Sequence, residues 1–423
     1  MLYERWLAVA RARRGEPALF EMPTGRVWTF GQLAREAEHA PDPDGPVVYP
    51  RGQTAGFVLT VLRAWRRGKV VCPLEPEQSP PPVPVPPAEI AHLKTTSATT
   101  GPTRCIAFTA EQLAADADQL VPTMGLRPDW PNVGAISLAH SYGFSNLVTP
   151  LLLHGIPLIL PGSALPEAVR RAAAQFPAVT LPGVPALWRA WFEAGAIPAH
   201  VRLAFSAGAP LPLPLERAVF ERHGLKLHNF YGSSECGGIA YDATEQPRSD
   251  PAAVGTAVRG VSLAVSDDGC LVVRSPAVGA TYWPEPAAAL GNGCFHTADL
   301  AELHAGVVFL RGRASDVINV AGRKVFPEAI EQVLAAHPAV RECVVLGVPA
   351  AEPGRGEDIA AVVVPRGEVT AAALREFLAA RLPAWQVPRV WRFEENLPVS
   401  GRGKLSRAAA RGLLNTPGAA VQL

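Results

Sequence analysis

Between Thr95 and Arg104 the chain reads TTSATTGPTR: five threonines, a serine and a glycine leading to a cation. Small hydroxyls and open backbone N–H groups can wrap phosphate oxygens, and the arginine adds charge. Taken alone the segment reads equally as a polar loop, because it lacks the GxxxxGK[ST] spacing of a P-loop. A second segment, Asn229 to Glu235, reads NFYGSSE. Its ring can stack on a base, its glycine allows close backbone approach, and its carboxylate can hold Mg²⁺. Alone it is a strand ending in a turn. Ser206-Ala207-Gly208-Ala209-Pro210 supplies another tight small-residue turn shortly before it. A third pair is Phe295-His296-Thr297-Ala298-Asp299-Leu300 and Gly312-Arg313-Ala314-Ser315-Asp316. Asp299 and Arg313 could grip vicinal hydroxyls, and each alone is an ordinary surface residue. The fourth, Leu397 to Arg407, reads LPVSGRGKLSR, with Lys404 on a glycine-flanked loop that can carry a point charge to a phosphate. An isolated GKxxR reads as a solvated basic tail.

Elements must hold these residues. Helical patterns cover Phe30–His39 and Gln53–Arg67, and a short strand covers Lys69–Pro73. The run PLEPEQSPPPVPVPP at 73–87 reads as an extended connector that separates this small leading segment from the rest. Beyond it, apolar strands at Val133–Leu138, Leu158–Leu160, Val179–Leu181 and Arg202–Ser206 alternate with helices at Pro185–Ala194 and Pro214–His223. That alternation predicts α/β layers. From Gly255 to Leu310 short strands and turns predict a small β-rich subdomain. A last α+β unit follows, with helix Pro327–His337, strands Cys343–Gly347 and Ile359–Val364, helix Ala371–Leu382 and a basic tail. The expected organisation is therefore an N-terminal domain at 1–313 and a C-terminal domain at 314–423, with no internal repeat.

Composition narrows the partners. Lys plus Arg number 39 and Asp plus Glu 38, so a formal charge of +1 gives no reason to expect nucleic acid or a charged membrane surface. The basic run Arg11 to Arg14 reads as a solvated helix end. The six cysteines are scattered without a CxxC pair, which argues against a zinc or dithiol site. Trp6–Ala10 is too short for a signal-peptide core, and the apolar stretch 147–161 falls short of the roughly 20 residues of a spanning helix. The expected location is cytoplasmic, with reduced thiols.

In order along the chain, the segments stop looking independent. They resemble the adenylate-forming superfamily: acyl-CoA synthetases, aryl-CoA ligases, luciferase and peptide-synthetase adenylation domains. Residues 96–104 look like TSGTTGxPK, His140-Ser141-Tyr142-Gly143-Phe144 like the aromatic segment near the acyl site, and 231–235 like YGxTE. Residues 297–300 look like TGDL, Gly312 to Glu331 like GRxDDxIKxxGxxxxPxEIE, and 397–407 like LPxTxxGKxxR. There are departures: Ala98 and Ala298 stand for glycines, Thr103-Arg104 for Pro-Lys, and Ser315 for an acidic hinge residue. Only 94 residues precede Thr95, fewer than the family pattern.

The resemblance implies a large N-terminal AMP-binding domain and a small mobile C-terminal one. It implies ATP-dependent conversion of a carboxylic acid to an acyl-adenylate, with Mg²⁺, and then a thioester with CoA. The alternative acceptor is the phosphopantetheine of an acyl carrier protein, and a second alternative is a non-catalytic nucleotide- or acyl-binding homologue. By resemblance Lys404 bridges carboxylate and α-phosphate, Glu235 holds the metal, and His140 lies near the reacting acid. Thr96, Ser97, Thr99, Thr100, Gly101 and Arg104 hold pyrophosphate. Gly208, Ala209, Pro210, Tyr231, Gly232 and Ser234 hold adenine and phosphate, and Asp299 and Arg313 hold ribose. The acyl pocket takes His140, Phe144, Val184, Ser206, Ala207 and Gly237. Ser315 is the hinge, and Gly322, Arg323 and Lys324 face the thiol. No cation stands out in the pocket segments, so a mostly apolar aryl or fatty acid is expected.

Overall fold

The computed structural model describes residues 1–95, 104–350, 352, 356–398 and 407–414, and the backbone of 420–422. The alternating pattern builds two sheets in the first part of the chain. In the larger, strands follow the order Ala253–Ala257, Gly237–Tyr241, Leu227–Ser233, Val201–Ser206, Val179–Gly183, Asn132–Val133, Leu158–Leu160, Pro17–Glu21 and Arg26–Thr29. Its middle is parallel, with Ser206 level with both Gly183 and Asn229. Parallel strands covered on both faces must be apolar throughout, and Val179–Gly183 is buried at every residue. Helices Pro185–Glu193 and Leu213–His223 make the crossovers. Trp188 and Trp191, three apart on one helical face, are fully buried. Their indole N–H groups donate to the Phe205 and Ala164 carbonyls, so neither ring strands a polar atom.

The second sheet has the order Thr281–Trp283, Cys105–Thr109, Ile90–Thr95, Val70–Val71 and Val47–Val48. Ile90–Thr95 and Cys105–Thr109 are antiparallel, with Thr95 opposite Cys105. The threonine-rich segment at 96–103 thus joins two paired strands, and it lies outside the described residues. Helix Ala110–Met124 follows, opened by a capping box in which Thr109 and Gln112 satisfy each other's backbone N–H groups. The same device opens Phe30–His39, through Thr29 and Gln32.

Three sequence expectations change. The leading segment is not set apart by the Pro-rich run. Pro17–Glu21 pairs in parallel with Leu158–Leu160, and Trp6, Phe30, Leu33 and Phe57 share one core with Leu113, Phe144 and Leu151. Burying that apolar surface outweighs the linker-like composition of 73–87. The run Arg11–Arg14 is not simply a solvated end. Arg13 lies over the Phe30 ring at 5.0 Å and bonds both Glu16 and the Gly155 carbonyl. The strand expected at Val133–Leu138 stops at Val133. Ser137 then turns the chain: its hydroxyl donates to Glu75 Oε1 at 2.7 Å and accepts from the Ala139 N–H at 3.2 Å.

The chain divides into two compact units. The larger holds 1–264, 272–296 and 304–308, and the smaller holds 265–271, 297–303 and 309–423. The division passes through the β-strands Ser262–Val265, Cys270–Arg274, Cys294–His304 and Val307–Arg313. The smaller unit carries a four-stranded sheet, Val340–Pro349, Glu357–Pro365, Val390–Phe393 and Ala420–Gln422 in that order. Helices Pro327–Ala335 and Ala371–Ala379 pack on it through Ile330, Leu334, Leu374 and Leu378. The fold is α/β, with a large N-terminal domain and a small C-terminal one. No helix among the described residues is long and apolar enough to cross a membrane.

Candidate active site

The parallel strands Val179–Gly183 and Val201–Ser206 end level with each other, Leu227–Ser233 runs on past them from Asn229, and most of the candidate residues of the larger unit lie at or beyond those ends. Ligands of open α/β sheets bind outside the carboxyl ends of the strands. The Gly183 carbonyl accepts from the Ala207 N–H at 3.2 Å and from the Tyr142 hydroxyl at 3.2 Å, which draws three segments together. A Cβ on Gly208 would stand 3.6 Å from Val184 Cγ1, so Val184 and Gly208 are neighbours. Gly208, Ala209 and Pro210 are exposed, while Ala207 is buried. Ser206 is fully buried, and its hydroxyl has no hydrogen-bond partner among the described residues. His140 caps a short helical turn, its Nδ1 accepting the Tyr142 N–H at 3.1 Å. Phe144 is fully buried, with its ring 4.5 Å from that of His92, so it stands in the core.

Leu227–Ser233 turns back into Gly237–Tyr241, with Gly232 opposite Gly238 and Ser233 opposite Gly237. Ser234, Glu235 and Cys236 form the tip. The Glu235 N–H donates to Ser233 Oγ at 3.2 Å, and Glu235 Oε1 accepts from the Tyr282 hydroxyl at 3.2 Å. Gly237 has φ +70°, and a Cβ there would fall 2.0 Å from Asp116 Oδ1. Only glycine meets both conditions. That same oxygen accepts the Gly238 N–H at 3.1 Å. Cys236 remains a thiol, since burial pushes it up to about 12.

Lys94 lies behind this hairpin, 4 % exposed, its ammonium 4.4 Å from the Phe108 ring centroid. Burial lowers its pKa against the pull of Asp116, Cys236 and Glu235. His92, two residues earlier, is held neutral by burial and then by Lys94. Sequence reading passed over Lys94, Asp116 and Tyr282. A lysine inside the apolar strand IAHLKT was the available signal for the first, and the unread capping box at Thr109 placed the second on a helix.

The smaller unit holds the other described candidates. Arg313 Nε pairs with Asp299 Oδ1 at 3.0 Å, and Thr297 Oγ1 accepts the Asp299 N–H at 3.1 Å. Ser315 sits in the 3₁₀ turn Ala314–Asp316, its hydroxyl bonding Asp316 Oδ1 at 3.1 Å. Gly322 stands at the tip of the hairpin Ile318–Val320/Arg323–Val325, where Lys324 is level with Asn319 and Arg323 lies 5.2 Å from the Trp385 ring. Thr96, Ser97, Thr99, Thr100, Gly101 and Lys404 lie outside the described residues. Arg104 is described, exposed, one residue before the strand Cys105–Thr109.

The AMP-binding enzyme family model matches residues 53–283, and the AMP-binding enzyme C-terminal domain model matches 329–404. The chain belongs to the adenylate-forming superfamily of AMP-binding enzymes. Among curated relatives, a probable 2-succinylbenzoate–CoA ligase of Mycobacterium tuberculosis is 32% identical, over 76% of this chain and 84% of its own. A feruloyl-CoA synthase of Amycolatopsis is 29% identical, over 79% of this chain and 72% of its own. These relatives are AMP-forming acid–thiol ligases, and the chain is of that family. Among solved structures, ATP-bound MatB from Rhodopseudomonas palustris superposes with a TM-score of 0.87 at 22% identity, covering 97% of this chain and 98% of its own. The o-succinylbenzoate CoA synthetase MenE of Bacillus subtilis, in complex with its acyl-adenylate, gives 0.85 at 20% identity and covers 99% of each chain.

The metal that this AMP-binding family implies can be tested against the donors present. Among the described residues no group of three or more His, Cys, Asp or Glu could form a metal cage. A half-buried carboxylate with one oxygen bonded by Tyr282 suits Mg²⁺, which keeps waters and takes one or two carboxylates beside substrate phosphates. Glu235 fits that description.

Proposed function

We propose that this AMP-binding enzyme activates an aryl or fatty carboxylic acid with ATP, releasing pyrophosphate, and then transfers the acyl group to the thiol of CoA. In the first half, a carboxylate oxygen attacks the α-phosphorus and the bond to pyrophosphate breaks. In the second, the thiol sulfur attacks the acyl carbon and AMP leaves. The first step brings two anions together, so the protein must supply charge and alignment. Lys404 supplies the moving charge, and Thr96, Ser97, Thr99, Thr100, Gly101 and Arg104 take the pyrophosphate. Tyr231, Gly232 and Ser234 with Gly208–Pro210 take the adenine side, and Asp299 and Arg313 take the ribose. Glu235 would hold Mg²⁺, which would supply positive charge toward the phosphate oxygens. Val184, Ser206, Ala207 and Gly237 with His140 form the acid's surroundings, while Phe144 stands in the core. Ser315 is the hinge between half-reactions, after which Gly322, Arg323 and Lys324 guide the thiol.

The observation that carries this reading is the placement of Tyr231, Gly232 and Glu235 on one tight hairpin at the ends of the parallel strands. The CoA ligases among the relatives support CoA as the acceptor. Pyrophosphate exchange into ATP, run with aryl, short and long aliphatic acids, tests it. Exchange should depend on one class of acid, and folded Lys404→Ala should lose about 10²–10³ of it, since a charge acting in the transition state contributes about 3–4 kcal/mol. Near-normal exchange in that variant would sink the lysine assignment, and no exchange with any acid would sink the activity.

A further inference from the structure

The strand Thr281–Trp283 extends the second sheet beyond Cys105–Thr109, with Tyr282 level with Ile106. Its approach is fixed at two points. The Gly279 N–H donates to the Glu235 carbonyl at 2.8 Å, and the Ala280 N–H to the Ala107 carbonyl at 2.8 Å. A Cβ on Gly279 would stand 2.7 Å from Ile106 Cγ2 and 3.2 Å from the Glu235 carbonyl oxygen. A larger residue would push the segment away from the hairpin tip. The outcome is a phenol delivered to Glu235 Oε1 at 3.2 Å from a strand that neighbours the one opened by Arg104. Among the described residues no other side chain bonds this carboxylate.

We propose that Tyr282 is a positioning residue for Glu235, fixing its rotamer so that one oxygen is held by the phenol and the other is presented to the metal and phosphates of the nucleotide. The proposal rests on the reading of Glu235 as the metal carboxylate. A carboxylate on a three-bond side chain samples several rotamers, and a donor on a paired strand selects one of them. Hydrogen bonds that orient a ligating carboxylate typically contribute 10–100-fold to metal affinity or activity. The phenol is suited to this duty. Its O–H can donate to a carboxylate oxygen, which only accepts.

The test uses Tyr282→Phe, which keeps the ring and removes the donor. Mn²⁺ is the probe, titrated into enzyme saturated with a non-hydrolysable ATP analogue, with free Mn²⁺ read by electron paramagnetic resonance. The expected result is about tenfold weaker Mn²⁺ binding. The Mg²⁺ concentration for half-maximal pyrophosphate exchange should rise by a similar factor, while KM for the acid and the urea midpoint hold. In a Glu235→Gln background the second substitution should add nothing, because there is no metal carboxylate left to position. Unchanged Mn²⁺ affinity in Tyr282→Phe, or an equal further loss in the Glu235→Gln background, overturns the proposal. Wild-type protein that exchanges pyrophosphate with no acid overturns the activity instead, so the two failures are told apart.

Discussion

Each unit contains a four-charge network, and the two are built on opposite terms. In the larger, Glu216, Lys226, Asp242 and Arg248 have side chains between 0% and 7% exposed. Glu216 pairs with Lys226 and, at 2.9 Å, with Arg248, and Lys226 also pairs with Asp242 at 2.8 Å. Arg248 uses its remaining N–H groups on the carbonyls of Leu211, Pro251 and Ala253. In the smaller, Arg407 meets Asp316, Glu328 and Glu331, with side chains 18% to 26% exposed. The first network balances two cations with two carboxylates and has little water to fall back on. The second sets three carboxylates against one arginine in partial solvent. Both abut candidate functional segments: Leu211 follows Gly208–Pro210, Asp316 adjoins Ser315, and Arg407 is three positions beyond Lys404 in sequence. Charge that is buried and balanced fixes a wall, whereas charge that is half-wet and unbalanced can be rearranged at low energy.

Removing one member of each network tests that contrast. Glu216→Ala leaves two buried cations with one carboxylate, and breaking a buried pair from one side costs about 3–5 kcal/mol. Urea unfolding should show a loss of that size, and a loss below about 1 kcal/mol would mean that water reaches the network. Arg407→Ala should cost less, about 1.5–3 kcal/mol, the range for hydrogen bonds to charged groups. Its three carboxylates can turn partly to solvent. If Arg407→Ala proved the more damaging of the two, the contrast between the networks would be wrong.

Neither network was legible in the sequence, and the reason is the same for Lys94, Asp116 and Tyr282. Their partners come from distant segments, as with Asp116 and Gly238, 122 residues apart. Local patterns carry no record of such pairings. What sequence did convey was local: the Phe30–His39 helix, the strand-then-turn of Asn229 to Glu235, the helix near Pro327 and the α/β alternation. The leading segment was misjudged for the complementary reason. Fifteen residues rich in proline look like a linker, and only the pairing of Pro17–Glu21 with Leu158–Leu160 shows that the chain crosses them within one core. Ordered motif spacing conveyed the family because motifs keep their order even where the residues between them change.

The smallest expected effect, a difference in pH response, sharpens the comparison most. Burial draws the Asp242 carboxyl upward, but Lys226 and Thr244 outweigh it and hold it below its ordinary value of 3.8. Its folded form binds protons less readily than the unfolded chain does. The stability it contributes is full above pH 3.8 and is lost as pH falls through the lower folded value. Glu328 does the reverse. Burial raises it above 4.5 against the pull of Arg407, and its Oε2 has no hydrogen-bond partner among the described residues. The folded state there binds protons more readily than the unfolded chain, so stability falls as pH rises from 4.5 through the raised value. Glu328→Gln removes that titration while keeping an acceptor for Arg407. The difference in urea midpoint between Glu328→Gln and wild type should therefore move in favour of the variant as pH is raised from about 4.5 to neutrality. Asp242→Asn should trail wild type by a constant margin over the same rise, because the Asp242 contribution is already full above pH 3.8, and should gain on wild type only as pH falls below that value. Parallel pH curves for both variants would show that the two networks hold their carboxylates on equal terms.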